Sequence, residues 1–229
     1  MSSPTRPNFD QIASPYRWLE CLTFGSALTR CRNHFLPALA DRRQALVFGD
    51  GDGRFLARLL ASNPHLHADA VDISPAMLAL VTRRAAQAHP TAASRLQTHL
   101  TDARAFSPTA TYDLVVTHFF LDCLTQPELH ALVTRIRPHL TPDAVWLVSD
   151  FRVPDSPLRL PARALIRSLY LGFRILTNLR TTRLPDHPAA FRSIGLTRTA
   201  QHLSLTGLLT TELWTHAPAH TCTSITEPA

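Results

Sequence analysis

A glycine-rich segment with two acidic residues is the part of this sequence whose spacing points most directly to chemistry. Gly49, Gly51 and Gly53 alternate with Asp50 and Asp52, between a short apolar run and a helical pattern. Glycine at such a turn lets the backbone bend tightly and lets a ligand approach where a Cβ would collide. We call residues 49–53 the glycine loop and expect it to hold a small molecule.

The charge and spacing of the glycine loop indicate which small molecule. The spacing is G-x-G-x-G, whereas dinucleotide-binding loops have G-x-G-x-x-G. A pyrophosphate at a helix N-terminus needs positive potential, and each nearby carboxylate would oppose it by about 1 kcal/mol or more. S-adenosylmethionine has no phosphate and carries a sulfonium and an ammonium group. The loop is therefore predicted to bind S-adenosylmethionine and to disfavour NAD.

Two further carboxylates follow the next apolar runs. Asp72 is predicted to accept hydrogen bonds from both ribose hydroxyls, and the alternative is a helix N-terminal aspartate before Ser74. Asp102, with Ala103 beside it, is predicted to face the adenine amino group, and the alternative is a solvated loop residue. Side chains at the carboxyl ends of parallel strands share one crevice.

Apolar and aromatic residues complete the predicted cofactor site. Ile73 and Met77 are expected to flank the adenine, although isolated apolar residues fit a core equally well. His118 and Phe119 end the fourth apolar run. We expect them where the methionine portion of the cofactor meets the acceptor.

Candidate catalytic residues are few, because a sulfonium is already an activated leaving group and the protein must mainly align the reactants and exclude water. His118 is a candidate base because its unperturbed pKa is about 6.5. Asp122 is the other, if its pKa is raised or the acceptor is an acidic phenol. Pocket lining and helix capping are the alternatives. Tyr16 and Arg152 are further pocket candidates.

Short apolar runs alternate with helical stretches, which predicts stacked βα units. We expect an α/β fold: a Rossmann-like, doubly wound sheet of seven strands, mostly parallel, with a C-terminal antiparallel hairpin and an N-terminal helical cap. The predicted strands are 45–48, 67–72, 94–100, 112–118 and 144–151, with two more around 206–207. The predicted domains are the cap (1–40), the Rossmann-like domain (41–216) and a disordered tail (217–229).

A predicted helix over 158–180 carries arginines on one face and apolar residues on another. Leu169, Tyr170 and Phe173 belong to the apolar face. We expect this helix to cover the substrate as a lid, and the alternative is contact with an acidic membrane surface. Either role suggests an apolar acceptor.

Bulk composition excludes several classes of protein. All 23 basic residues are arginine and are spread along the chain, so the net charge of +6 does not indicate a nucleic-acid-binding surface. The 4 cysteines form no C-x-x-C pair, and we expect no metal site. No signal peptide or membrane span is evident, and we expect a cytoplasmic protein. The sequence leaves the oligomeric state open.

The order of these motifs resembles the class I methyltransferase family over residues 44–150. The segments 9–32 and 191–214 are more narrowly similar to the ubiquinone/menaquinone-biosynthesis C-methyltransferases. That resemblance implies a helical cap over the cofactor that contains Tyr16.

Two other functions stay open at this point. The family usually has an acidic residue at the position of Val47, so a non-catalytic nucleoside-binding module of the same fold is one alternative. An NAD-dependent oxidoreductase is the other, and the glycine loop argues against it.

Overall fold

The computed structural model describes residues 26–154, 157, 159–160, 162–166, 168 and 184–217. Four predicted features lie outside these residues: Tyr16, the group Leu169, Tyr170 and Phe173, most of the predicted cap, and the tail from 218. They stay predictions. The described residues of the predicted 158–180 helix are largely helical, with Arg159 and Arg163 exposed and Ile166 buried.

The described residues form alternating strands and helices close to the predicted bounds. The helices are α1 (Ala27–Asn33), α2 (Arg54–Ser62), α3 (Pro75–Ala88), α4 (Gln126–Ile136) and α5 (His187–Ser193). The strands are β1 (Gln44–Phe48), β2 (His67–Asp72), β3 (Leu96–Leu100), β4 (Tyr112–His118), β5 (Leu140–Phe151), β6 (Leu196–Ser204) and β7 (Leu209–His216).

The seven strands form one sheet in the order β3-β2-β1-β4-β5-β7-β6. Strands β1 to β5 pair in parallel, and β7 pairs antiparallel with both β5 and β6. The predicted fold class is therefore confirmed. The strand order reverses between β1 and β4, and in open α/β sheets the ligand crevice lies at that point, outside the carboxyl ends of the strands.

Local sequence explains where two helices begin. The Ser74 side chain accepts a hydrogen bond from the Met77 amide at 3.2 Å, and Pro75 occupies the first turn of α3. Thr125 and Glu128 form a capping box at the start of α4. Such caps satisfy amides that lack an intrahelical partner. They fix the helices that flank the crevice.

Two apolar layers cover the faces of the sheet. One contains α4 and α5 and is centred on the large buried side chains Phe48, Tyr112, Trp146, Phe191 and Trp214. The other contains α2 and α3 and includes Val47, Phe55, Leu59, Leu114 and Leu147. Successive residues of a strand point to opposite faces. The two layers therefore divide the side chains at each strand end between two sides of the crevice.

A buried carboxylate holds the C-terminal strands together. Glu212 is 2% exposed and accepts hydrogen bonds from His187, Arg198, Gln201, Thr210 and Trp214. Burial alone would raise the pKa of Glu212, but these donors and the charges of His187 and Arg198 lower it to about 2. The ionised form is thus strongly preferred in the folded protein.

Replacing Glu212 with glutamine is expected to lower the free energy of unfolding by about 2–4 kcal/mol at pH 7, because buried donors lose their anion. The folded-state pKa of about 2 lies below the ordinary 4.5. The carboxylate therefore stabilises the fold above pH 4.5 and loses that effect as the pH falls toward 2. Urea denaturation at several pH values measures this, and a difference between wild type and Glu212→Gln that does not narrow in acid would contradict it.

Candidate functional site

The glycine loop connects β1 to α2 at the point where the strand order reverses. All three of its glycines have positive φ: Gly49 at 60°, Gly51 at 61° and Gly53 at 81°. A Cβ on Gly49 would lie 2.8 Å from the Phe120 ring, and one on Gly53 would lie 2.6 Å from the Val81 Cα. Glycine is thus required at both ends of the loop for backbone conformation and for close packing against α3 and the β4–α4 segment.

Asp50 is a buried carboxylate within the glycine loop. It is 7% exposed, and its Oδ2 accepts a hydrogen bond from the Leu56 amide at 3.0 Å. Its Oδ1 is buried and has no hydrogen-bond partner in the described part of the chain. Burial raises the pKa of Asp50 to about 7, against the lowering effects of the Leu56 amide and of Arg32. A cation beside Oδ1 would satisfy this oxygen and restore the ionised form.

Asp52 plays a different part from the one the sequence suggested. Its Oδ2 lies 2.9 Å from Arg54 Nε and 2.8 Å from Arg84 Nη1. Two guanidinium groups therefore compensate its charge. The electrostatic preference for a cationic ligand depends on Asp50 rather than on both loop carboxylates.

Asp72, at the end of β2, accepts a hydrogen bond from the Ser74 amide at 2.8 Å and is half-buried. This bond is local and leads into α3, as the alternative to a ribose role proposed. Ile73 is also half-buried, whereas Met77 is 4% exposed and faces the protein interior. The ribose and adenine roles stay predictions.

Asp102 follows β3 and pairs with an arginine that the sequence analysis did not single out. Arg104 Nε lies 2.9 and 3.0 Å from its two oxygens, and Arg104 Nη1 reaches Glu128 at 2.8 Å. Hydrogen bonds from Arg104 to Asp102 raise the pKa of the guanidinium. Ala103 is buried. Asp102 is thus oriented by its neighbour, and its adenine contact stays a prediction.

His118, at the end of β4, is 2% exposed, and neither ring nitrogen has a hydrogen-bond partner among the described residues. The Phe55 ring packs edge-on against it, with centroids 4.4 Å apart. Burial, and then the charge of Arg32, lower the pKa of His118 well below 6.5. The neutral ring is a poor proton acceptor near pH 7, so its unsatisfied nitrogens suit ligand contact better than base catalysis.

Phe119 follows with a left-handed backbone, φ 51°, and its amide donates to the Ser149 carbonyl at 2.7 Å. The Arg32 guanidinium of α1 lies over the Phe119 ring, 5.0 Å from its centroid. Arg32 is 7% exposed. Sequence reasoning missed this residue, because only the packing of α1 brings it to the crevice.

A second pair of carboxylates lies where β4 and β5 end: Asp122 follows β4, and Asp150 is the second-last residue of β5. Asp122 is 6% exposed and Asp150 is 2% exposed. Burial and then the Asp122 charge raise the pKa of Asp150 well above 3.8, while the Phe151 and Asp122 amides donate to its carboxylate. Asp150 was missed, although its position at the end of an apolar strand was the available signal. Two close buried carboxylates favour a state that holds one proton between them.

Arg152 lies under the tip of the β6–β7 hairpin. Its amide donates to the Leu208 carbonyl at 2.8 Å, and its Nη1 would be 3.6 Å from a Cβ on Gly207. The hairpin therefore holds the segment after β5 over the carboxyl edge of the sheet. Contact between Arg152 and a substrate stays a prediction.

The described residues thus bring together Asp50, His118 and Arg32 on the α1–α2 side and Asp122 with Asp150 farther along the edge. Unsatisfied oxygen and nitrogen atoms at Asp50 and His118 fit a ligand with an ammonium group and further polar atoms. Among the residues that the structure describes, no cluster of three potential metal ligands occurs. Within the same residues, no helix is both long and apolar enough to cross a membrane.

Comparison with known proteins finds a family match over the central part of the chain. Residues 46–146 match the family model described as a methyltransferase domain. Polyamine aminopropyltransferase 2 from Bacillus cereus is 29% identical over 135 residues, which are 54% of this chain and 36% of that protein. The chain thus spans about a third of the length of that curated relative.

Solved structures of methyltransferases share the fold. The N-methyltransferase NodS from Bradyrhizobium japonicum, in complex with S-adenosyl-L-homocysteine, is 17% identical with a TM-score of 0.56, covering 82% of this chain and 86% of that chain. An O-methyltransferase family 2 protein from Planctomyces limnophilus, in complex with apigenin, is 18% identical with a TM-score of 0.64, covering 90% and 62%. At such identities the likeness shows the fold alone.

Replacing Gly53 with alanine is expected to destabilise the protein by about 2–5 kcal/mol, because left-handed strain adds to a collision with the backbone of α3. Gly195 is a matched control, since its φ is 86° but a Cβ there meets only His216 Nδ1 at 4.0 Å. Gly195→Ala should cost about 1–2 kcal/mol from strain alone. Chemical denaturation compares the two variants, and equal losses would show that the contact with Val81 has no effect.

Proposed function

We propose that this chain is an S-adenosylmethionine-dependent methyltransferase that methylates a small apolar or aromatic acceptor at oxygen or carbon. The match of residues 46–146 to a methyltransferase domain supports the reaction type. The observation that carries this proposal is the buried pair Asp122 and Asp150 at the carboxyl edge of the sheet. The pair lies next to a cluster of apolar side chains around Ile166, which we call the apolar wall. The pair offers a proton acceptor, and the wall offers a surface for an apolar molecule.

The cofactor would be held by the glycine loop and the end of β4. Asp50 Oδ1 faces a buried position that suits the ammonium group, and His118 offers two unsatisfied nitrogens beside it. Asp72 and Asp102 follow β2 and β3, where the ribose and adenine would lie. Bound S-adenosylmethionine supplies a methyl group on a sulfonium, which leaves as a neutral thioether. The protein has only to align the acceptor and take up one proton.

The apolar wall consists of side chains that pack around one helix residue. They are Ile166, Cys123, Phe151, Val153, Leu184 and Leu208. This cluster adjoins the acidic pair through Cys123, whose Sγ lies 3.5 Å from Asp122 Oδ1. An aromatic ring resting on this wall would present its hydroxyl or ring carbon toward the carboxylates. The apigenin bound by the Planctomyces limnophilus protein is consistent with such an acceptor.

Proton removal is assigned to the acidic pair rather than to His118. As the acceptor–methyl bond forms, the acceptor's proton passes to the carboxylate of Asp122 or Asp150 that is ionised. Its raised pKa makes Asp150 a stronger base than an exposed aspartate. The finer resemblance to quinone C-methyltransferases stays a hypothesis that fits the same pocket.

A second candidate function follows from the curated relative. The name polyamine aminopropyltransferase 2 describes transfer to a polyamine, and two buried carboxylates would also attract an ammonium acceptor. The two reactions leave different products. Methyl transfer from S-adenosylmethionine yields S-adenosylhomocysteine, whereas aminopropyl transfer from decarboxylated S-adenosylmethionine yields 5′-methylthioadenosine, so both donors are supplied in separate reactions. Mass spectrometry of reactions with a panel of phenols, quinols and polyamines distinguishes them, and neither product would favour a non-catalytic binding module.

Replacing Asp150 with asparagine is expected to lower kcat for a phenolic acceptor about 100-fold while leaving the affinity for S-adenosylmethionine within about threefold. The acid limb of the kcat/KM profile should also disappear, because the wild-type base must be ionised. Asp113→Asn is the control and should leave turnover unchanged. Asp113 accepts hydrogen bonds from the Arg43 and Gln44 amides at the opposite edge of the sheet, far from the acidic pair. Unchanged turnover in both Asp150→Asn and Asp122→Asn would contradict the assignment of proton removal to this pair.

The affinity for S-adenosylhomocysteine is expected to fall as the pH drops below about 7, the pKa of Asp50 in the free protein. A bound ammonium group would lower this pKa, so affinity should weaken up to about tenfold per pH unit on the acid side. Calorimetric titration between pH 5.5 and 7.5 measures the slope. Asp50→Asn should remove the pH dependence of the affinity. The control ligand 5′-methylthioadenosine has no ammonium group, so its affinity should not depend on pH in this range. If the pH dependence persists in Asp50→Asn, the titrating group is not Asp50.

A further inference from the structure

An ion pair joins the glycine loop to helix α3. Asp52 of the loop is 7% exposed, and its Oδ2 lies 2.8 Å from Nη1 of Arg84. Arg84 lies on α3 and is half-buried. Because little water surrounds the two groups, their attraction is screened much less than that of an exposed pair. The pair therefore fixes the position of the loop relative to α3.

The same face of α3 also limits the loop by direct packing. Val81 precedes Arg84 by three residues, so the two side chains lie on one face of the helix. A Cβ on Gly53 would lie 2.6 Å from the Val81 Cα. The loop therefore cannot move closer to α3 without a collision, and it cannot move away without breaking the ion pair.

A loop of this composition needs contacts from outside itself to hold one conformation. All three of its glycines have positive φ, and glycine loses more conformational freedom on folding than any other residue. Asp50 accepts a hydrogen bond from the Leu56 amide, which fastens the loop to α2. The ion pair of Asp52 with Arg84 fastens it to α3 as well.

Helix α3 is itself fixed to the end of β2. The Ser74 side chain caps the helix by accepting from the Met77 amide, and the Ser74 amide donates to Asp72 at 2.8 Å. Helix α3 thus contacts both the end of β2 and the glycine loop. These are two of the elements that would hold the cofactor, so α3 sets the distance between them.

We propose that Arg84 is a positioning residue that holds the glycine loop, through Asp52, in the conformation that binds the cofactor. This inference rests on the proposed function. Arg84 acts without contact to the ligand. It reduces the conformational freedom that the loop would otherwise lose on binding, and a loop that is already ordered binds more tightly because this cost is smaller.

Calorimetric titration with S-adenosylhomocysteine tests the proposal. Arg84→Met keeps an apolar stem but removes the guanidinium, and it should weaken binding about tenfold. Arg84→Lys should recover part of the loss, because an ammonium group still attracts Asp52, and it serves if the methionine variant does not fold. Asp52→Asn should also weaken binding about tenfold. The double variant should bind no more weakly than either single variant, because both changes break the same contact.

Two other arginines provide matched controls. Arg83 is exposed and lies next to Arg84 on α3, so Arg83→Met should leave the affinity within about twofold. Arg54 Nε lies 2.9 Å from the same Asp52 oxygen but belongs to the start of α2. Arg54→Met therefore removes one cation from Asp52 without breaking the link to α3, and it should weaken binding by no more than about threefold.

Chemical denaturation of each variant ensures that the titrations are made on folded protein. Equal affinity in wild type and Arg84→Met would overturn the proposal and leave the proposed function standing. Equal losses in Arg54→Met and Arg84→Met would also overturn it, by showing that the charge around Asp52 matters rather than the link to α3. Losses that add in the double variant would show that Arg84 acts without Asp52. Failure of wild type to bind S-adenosylhomocysteine would overturn the proposed function as well.

Discussion

Charge buried at the carboxyl edge of the sheet is the constraint on which the site depends. Asp50 and Asp150 are withdrawn from water, and burial raises the pKa of each. A buried carboxylate without a full set of partners is unfavourable unless a proton or a cation accompanies it. The fold tolerates this because it places the carboxylates where the strand order reverses and a crevice opens. We infer that these buried carboxylates lower the stability of the folded protein and favour the binding of cationic or proton-bearing ligands at this edge.

Most of the fold could be predicted from the sequence, because the spacing of apolar residues and the turn and helix-capping residues between them determine the elements locally. The strands 67–72 and 112–118 were predicted with their observed bounds, and the C-terminal pair was recognised as antiparallel. The site was less predictable. Asp52 was read as part of an acidic loop, yet Arg84, 32 residues along the chain on α3, compensates it. Arg32 was missed for the same reason, since such pairings arise only when distant elements pack.

The glycines of the glycine loop are needed both for close packing of the protein and for the predicted approach of a cofactor. Its spacing led to a cofactor prediction, and the methyltransferase-domain match agrees with it. Yet Phe120 and the backbone at Val81 would collide with side chains at Gly49 and Gly53 before any ligand is considered. The loop is narrow because the helices beside it approach closely, and that narrowness exposes backbone to a small molecule. The absence of a Cβ at Gly49 and Gly53 thus allows both the close packing of the loop and the approach of a small molecule to its backbone.

The packing of α1 on β7 has a consequence for how the protein folds during synthesis. The first described helix rests on the last strand, through Cys31 and Thr210, and β7 enters the sheet between β5 and β6. During synthesis the ribosome releases α1 long before β7 exists. Until then the helix lacks the surface that Leu209 and Thr210 provide. The final hairpin therefore closes against a helix that lies 179 residues earlier in the sequence, so this contact forms only after nearly all of the described chain has been made.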